Sequence, residues 1–295
     1  MKRLGFRPQR TLARSVTVSG VGLLSGDRVR VRFRPAPPDF GLVFVRTDFR
    51  QPVRIAAKYA HVTGTHRRTT LGLPPHQITL VEHVLAALAG LRIDNCQVEV
   101  NGDEPPGLDG SAGRFANALL GAGIIAQQAQ HVLWTVSEPI TVQQGEANLT
   151  ISPAENHELQ ISYVLDYGPG CSIVRQKHVQ TITPESFARE LANCRTFVLE
   201  HEADTLQSQG IGLHITPADL LVFGEHGPID NELRYANEPA RHKVLDIIGD
   251  LALLGRDLRG KITAHRSGHP LNIELVRKLG KMLPQPAFIP RYRAA

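Results

Sequence analysis

The sequence predicts an α+β protein built as two similar domains from an internal duplication. Three observations predict it. At 295 residues the chain exceeds the roughly 100–200 residues of one domain, so two are expected. Its side chains are 42% hydrophobic, and Gly and Pro are spread along it instead of gathered in a low-complexity tract, so it can fold around a core. The order strands, helix, strand, helix is met twice along its length.

In the first copy, Ser15-Val16-Thr17-Val18 reads as a strand that leads through Gly20-Val21-Gly22 to Arg28-Val29-Arg30-Val31-Arg32-Phe33. The latter alternates polar and apolar residues with period two, the mark of a half-buried strand. Pro35, Pro37 and Pro38 close it, and Gly41–Val45 is a further strand. Thr79-Leu80-Val81-Glu82 matches a capping box, and Val81, Val84, Leu85 and Leu88 recur at helical spacing, with Gly90 as the stop. A strand, Asn95–Val100, a loop and a helix, Arg114–Leu120, complete this copy.

The second copy offers strands near Pro139–Val142, Ala147–Ile151 and Leu159–Val164. A helix runs from about Pro239, a residue suited to a first helical position, to Gly255. A strand, Lys261–Ala264, a Gly-containing loop and a helix through Leu275–Leu279 follow. The expected division is 1–128 and 129–295, joined near residues 127–132. An insertion near 181–235 has no counterpart in the first copy, and Pro184-Glu185-Ser186-Phe187 within it resembles a helix start.

A net charge of +5 and a pI near 9.3 suit anionic partners or a solvated basic surface. Aromatics make up only 5% and interleave with no basic block, so nucleic acid is not an expected partner. Cys96, Cys171 and Cys194 are odd in number and widely spaced, which points to a reducing compartment and against a thiolate metal site. The 13 histidines direct any metal site towards nitrogen and oxygen ligands. The basic start, Met1 to Arg7, lacks a following apolar region, and no run of ~18 apolar residues occurs. A cytoplasmic monomer without stable membrane insertion is expected.

Chemistry concentrates in three motifs. In His242-Lys243-Val244-Leu245-Asp246, the His and Asp lie four apart on one helix face, and Asp250 lies one turn on. Val244, Leu245, Ile248, Leu251 and Ala252 would form the opposite, apolar stripe. Two metal ligands with an acid to orient a histidine fit this face, and so does an ordinary exposed His–Asp pair. Glu82-His83 offers a base and a ligand, or a mere helix cap. His269, in the loop Ser267-Gly268-His269, is placed like a general acid, or like any surface-loop histidine. Because the first two motifs occupy corresponding helices of the two copies, helices packed face to face would unite them in one cleft.

Further stretches complete the pattern: Gly20-Val21-Gly22-Leu23, Arg34-Pro35-Ala36-Pro37, Thr79–His83, Ala86–Leu91, Ile93-Asp94-Asn95, Leu108–Ala112, Arg195-Thr196-Phe197, Leu206-Gln207-Ser208, Arg241–Leu251 and Ser267-Gly268-His269. Over nearly the whole chain, in order, they resemble the UDP-3-O-acyl-N-acetylglucosamine deacetylase family of lipid A synthesis. The resemblance implies helices sandwiched between two sheets. It implies zinc on His83, His242 and Asp246, with water as the fourth ligand; iron(II) suits the same ligands. Glu82 would be the general base, and His269, its charge supported by Asp250, would protonate the leaving amine. Thr196 would polarise the amide carbonyl. Phe197 would line the sugar site, Lys243 would meet the substrate near the nucleotide, and Asp166 and Tyr167 would meet the uracil. The substrate would be a UDP-acyl-amino sugar.

Two departures bear on substrate. Leu24 stands where the family usually has His, and residues 212–217, Gly-Leu-His-Ile-Thr-Pro, replace a Gly-Gly-Ser-like stretch in the part that forms the acyl-chain passage. They leave room for a paralogue acting on another N-acyl amino sugar. A non-catalytic nucleotide-sugar or lipid binder is the third reading, but such a protein would not need Glu82 and His269.

Overall fold

Along Arg28–Pro35, Val29, Val31 and Phe33 turn inward and the arginines outward, so the alternation read in the sequence becomes a strand with one buried face. In the computed structural model, which describes residues 1–217 and 219–284, this strand is one of ten strands and α-helices in the first half. They are β1 (Lys2–Leu12), β2 (Val16–Val21), β3 (Arg28–Pro35), β4 (Leu42–Arg46), β5 (Val53–Ala56), β6 (Val62–Gly64), β7 (Thr70–Leu71), α1 (Glu82–Gly90), β8 (Cys96–Val100) and α2 (Gly113–Ala122). The second half holds β9 (Ile124–Thr135), β10 (Ile140–Gln144), β11 (Ala147–Ser152), β12 (Leu159–Leu165), β13 (Gln176–Thr181) and α3 (Pro184–Ser186). It continues with β14 (Phe197–Leu199), α4 (Glu200–Ser208), β15 (Leu221–Gly224), β16 (Gly227–Pro228), α5 (Glu238–Ala252), β17 (Asp257–Leu258), β18 (Gly260–His265) and α6 (His269–Met282).

The repeat is visible strand for strand. One five-stranded sheet has the order β2-β3-β8-β4-β5, the other β10-β11-β18-β12-β13. Each contains one parallel pair, β4 with β8 and β12 with β18, and its other pairs are antiparallel. The helix α1 lies between β5 and β8 in sequence as α5 lies between β13 and β18, and α2 and α6 follow likewise. α5 packs on β12 and β13, α6 on β10 and β11, α2 on β2, and α1 against α5. The helices thus form the layers between the two sheets, as the resemblance implied.

Residues 127–132 are no loose linker. They lie inside β9, which pairs antiparallel with β1 and parallel with β17 in a third sheet. Arg7 on β1 ties this sheet to the first half through Asp94, at 2.7 and 2.8 Å, and bonds across the sheet to Asp257 on β17.

Three local readings differ from the structure. The first helix begins at Glu82, not at Thr79, because Leu80 sits at φ 54° and breaks the turn. α5 has no exposed polar face: His242, Asp246 and Asp250 are as buried as Val244 and Leu245, since α1 covers them. His269 is not a loop residue but the first residue of α6, with Pro270 in its first turn.

Contact between α1 and α5 depends on a missing side chain. A Cβ at Gly249 would overlap the backbone carbonyl of Glu82. Glycine there lets the helices meet backbone to backbone, and that approach sets the distance between the two chemical motifs.

Candidate metal and catalytic site

The second residue of α1 and two successive turns of α5 meet across this contact. Ligand atoms of His83, His242 and Asp246 all lie within 4.8 Å of one another. His242 Nε2 is 3.3 Å and His83 Nε2 3.9 Å from Asp246 Oδ1, and the two imidazole rings stand edge to face with centroids 5.0 Å apart. The surroundings orient each ligand. His242 Nδ1 donates to the Cys194 carbonyl at 3.0 Å, which leaves Nε2 as the lone-pair nitrogen facing the cluster. Lys243 Nζ donates to Asp246 Oδ2 at 3.0 Å, while the buried Oδ1 has no hydrogen-bond partner among the described residues.

An orphaned buried carboxylate oxygen is costly unless a cation faces it. Burial opposes the Asp246 charge, but His242, protonated at the acid pH where a carboxyl would titrate, and Lys243 outweigh it and hold the carboxyl far below its usual range. Burial, reinforced by His242, lowers His83 to about 3, and burial lowers His242 as well, so both imidazoles are neutral near pH 7. Two neutral imidazoles and one ionised carboxylate form the N,N,O donor set that suits zinc or iron(II).

Two further groups stand beside the cluster. Glu82 takes no part in capping; its Oε2 accepts the Thr69 backbone N–H at 3.0 Å. Burial raises it to about 7, against the opposing charge of His269. His269 Nδ1 bonds Asp250 Oδ2 at 2.8 Å, and its Nε2 lies 3.9 Å from Glu82 Oε1 and 4.0 Å from Asp246 Oδ2. Burial alone would lower His269, but the charge and hydrogen bond of Asp250 outweigh it and carry the imidazole to about 9.

Asp250 is held from three sides: by His269, by Asn272 Nδ2 at 2.8 Å and by the Thr69 hydroxyl at 2.7 Å. Thr69 therefore serves both Glu82 and Asp250. Nothing in its local sequence, Arg67-Arg68-Thr69-Thr70, announces this, because the connection exists only after the chain folds onto α5. Glu238 was missed for the same reason. It is buried with Arg195 at 2.9 Å and fixes the segment whose carbonyl orients His242 and whose next residues are Thr196 and Phe197.

These groups open onto a cavity of about 630 Å³, lined at the catalytic end by Glu82, His83, His242, Asp246 and His269. Thr196, Phe197, Lys243 and Tyr167 line it further out. Phe197 stands edge to face with Tyr167 and His242, both at 6.3 Å, and Lys243 Nζ lies 5.2 Å over its ring. Leu206, Ile211, Ile215 and Val222, from the insertion, give the cavity an apolar arm. Two of the sequence candidates do not line it. Asp250 sits behind His269, and Asp166 turns to Arg266 at 3.2 Å and to the Gly168 N–H at 2.8 Å. Leu24 lines the cavity and so do Gly212, Ile215, Thr216 and Pro217 of the 212–217 departure, and His214 Nε2 behind them donates to the Gly22 carbonyl at 2.9 Å.

Residues 9–281 match the family model described as UDP-3-O-acyl N-acetylglycosamine deacetylase. The chain belongs to that family. It is 39% identical over 272 residues to the UDP-3-O-acyl-N-acetylglucosamine deacetylase of Myxococcus xanthus, covering 92% of this chain and 86% of that protein. It is 38% identical over 276 residues to the enzyme of the same name from Trichormus variabilis, covering 92% and 98%. A bifunctional enzyme LpxC/FabZ of Chlorobaculum tepidum is 37% identical over 300 residues, and the match spans 92% of this chain but only 64% of that protein. The deacetylase family is metal-dependent, and among the described residues His83, His242 and Asp246 form a group that could hold an ion.

Proposed function

We propose that this chain hydrolyses the acetamide of a UDP-3-O-acyl-N-acetylglucosamine, releases acetate, and so acts in lipid A biosynthesis. The observation that carries this reading is the convergence of the three-ligand cluster, Glu82 and the His269–Asp250 pair at one end of an apolar-armed cavity.

His83, His242 and Asp246 would hold zinc, which supplies Lewis acidity towards the carbonyl and lowers the pKa of water from ~15.7 towards ~7. Glu82, raised by burial to about 7, is matched to accept a proton from the attacking water. His269, held near 9 by Asp250, carries a proton at neutral pH and gives it to the leaving amine, which departs poorly as an anion. Asp250 positions His269 and balances its charge. The Thr196 hydroxyl polarises the carbonyl; its backbone is fixed by hydrogen bonds to Gly110 O at 2.8 Å and from Leu221 N–H at 3.0 Å. Phe197 lines the sugar, Lys243 meets the substrate near its nucleotide, and Tyr167 stacks on the uracil with Asp166 beside it. The apolar arm takes the acyl chain.

The repeated sheet order supports reading the chain as two domains, divided at 128/129. The three free cysteines support a cytoplasmic setting, and no described helix is long and apolar enough to cross a membrane. A monomer completes the reading.

Acetate release from UDP-3-O-acyl-N-acetylglucosamine by purified protein, before and after chelation and zinc add-back, tests it. Activity lost on chelation and restored by zinc is the expected result. A folded, zinc-loaded protein with no turnover would overturn it. Because Leu24 and most of residues 212–217 line the cavity, another N-acyl amino sugar would then be the substrate to try.

A further inference from the structure

The two central helices also have far ends. α1 stops at Gly90 with Arg92 just beyond, and α5 stops at Ala252 with Arg256 beyond. At ~1.5 Å per residue, the end of α5 at Ala252 lies roughly 9 Å along the helix from Asp246. A second cavity of about 560 Å³ opens there, and the catalytic reading does not use it.

Four cations from four separate segments line this cavity: Arg3, Lys58, Arg92 and Arg256, with Phe40 and Trp134 beside them. Lys58 is brought to the end of α5 by the next residue, since the Tyr59 N–H donates to the Leu253 carbonyl at 2.9 Å. None of the four forms an ion pair with a described residue. Among the described residues Arg256 donates only to the neighbouring Gly255 carbonyl, at 3.0 Å, and Arg3 lies over the rings of Phe6 and Trp134, at 5.4 and 5.8 Å. The cavity's two carboxylates are already engaged. Asp94 accepts from Arg7, His131 and the Arg10 N–H, and Asp39 accepts from Gln9 Nε2.

Like charges drawn together from distant segments repel one another, more so where a concave wall excludes water. The charge of Arg92 is felt nearby: burial lowers the guanidinium pKa of Arg10 and of Arg259, and in both cases Arg92 adds to the effect. Such an arrangement is relieved by an anion. Guanidinium groups and an ammonium suit the tetrahedral oxyanion of a phosphate, and the cavity volume lies within the ~300–1,000 Å³ usual for small-ligand sites. Phe40 and Trp134 offer an apolar surface to whatever carries the anion.

We propose that this second cavity binds a phosphate-bearing ligand, with the phosphate among Lys58, Arg92 and Arg256 and the uncharged part against Phe40 and Trp134. The phosphate can belong to a free phosphomonoester or to a lipid headgroup.

Trp134 is the only tryptophan in the chain, so tryptophan emission reports on this cavity and not on the catalytic one. The zinc-loaded protein would be titrated with glycerol 3-phosphate at ionic strength fixed with KCl. In parallel it would be titrated with phosphatidylglycerol vesicles, with phosphatidylcholine vesicles as background. A saturable change in Trp134 emission is expected, with half-saturation raised at least tenfold in the R92Q/R256Q double variant. R92K/R256K should restore most of the binding, and deacetylation should stay within twofold in both. Saturation by glycerol 3-phosphate assigns a free phosphate; saturation by phosphatidylglycerol alone assigns a headgroup. The proposal is overturned if neither probe gives a saturable change, if R92Q/R256Q titrates like the unaltered protein, or if KCl alone reproduces the signal.

Discussion

α1 and α5 occupy the same place in two copies of one topology, yet they contribute unequally. α1 has 9 residues, and its chemistry is confined to its first turn, Glu82 and His83. α5 has 15 residues and places His242, Asp246 and Asp250 on three successive turns of the face that meets α1. The second copy also carries the insertion that gives the cavity its apolar arm. The first supplies instead the Thr69 segment behind Glu82 and Asp250. The difference teaches that duplication supplied a paired scaffold, while the site grew from what each copy added to it. Neither copy holds a complete metal site or a complete acid–base pair.

The largest expected effect of altering that division of labour is at His269. His269→Ala should lower kcat by roughly 10²–10⁴-fold with zinc content unchanged. Glu82 acts only as the carboxylate, so activity rises with pH through its pKa near 7; His269 acts only when protonated, so activity falls through about 9. A bell-shaped profile of kcat/KM is expected, and the alanine variant should lose its alkaline limb.

Gly249→Ala probes the contact itself. Its methyl group must displace the Glu82 carbonyl, at a cost of roughly 1–3 kcal/mol in urea denaturation and with weaker zinc retention. Unchanged stability and zinc retention would show that the two copies can separate without loss. Thr69→Val removes the hydroxyl that steadies Asp250 and keeps the backbone N–H that serves Glu82. A loss of about 10–100-fold in kcat is expected, with KM little changed.

The smallest effect concerns the clamp that joins the copies away from the site. Burial would raise Asp94, but hydrogen bonds and charge from His131 and Arg7 prevail and hold it at about 2. Because the folded value is depressed, this stabilisation is present above the unfolded value of ~3.9 and is lost as pH falls from about 4 towards 2. Asp94→Asn should cost at most roughly 2 kcal/mol near neutral pH, and the difference from the unaltered protein should shrink across that acid window. Denaturant titrations at several pH values would show it.

Much of this was legible in the sequence because it rests on local periodicity. The alternation of Arg28–Phe33, the repeated order of elements and the four-residue spacing of His242 and Asp246 each survive folding unchanged. What was not legible depends on contacts between distant segments. β1 shows no clean alternation, and its partner β9 lies more than a hundred residues away, so residues 127–132 read as a join. The Thr79–Glu82 capping pattern has the right residue types, but Leu80 adopts a left-handed conformation and the Glu82 carboxylate bonds Thr69 instead. Thr69 and Glu238 are ordinary residues until α5 packs. The polar face of α5 looked exposed because nothing in its own sequence says that α1 will cover it.

The central claim is that one metal site is shared between two copies. Zinc stoichiometry of the unaltered protein, His83→Ala, His242→Ala and Asp246→Ala, after dialysis against one zinc buffer, tests it most directly. The expected result is a single equivalent in the unaltered protein and a severe loss in each variant, whichever copy it alters, with circular dichroism unchanged. If His83→Ala kept a full equivalent while the α5 variants lost theirs, the site would belong to the second copy alone and the account of a shared site would be contradicted.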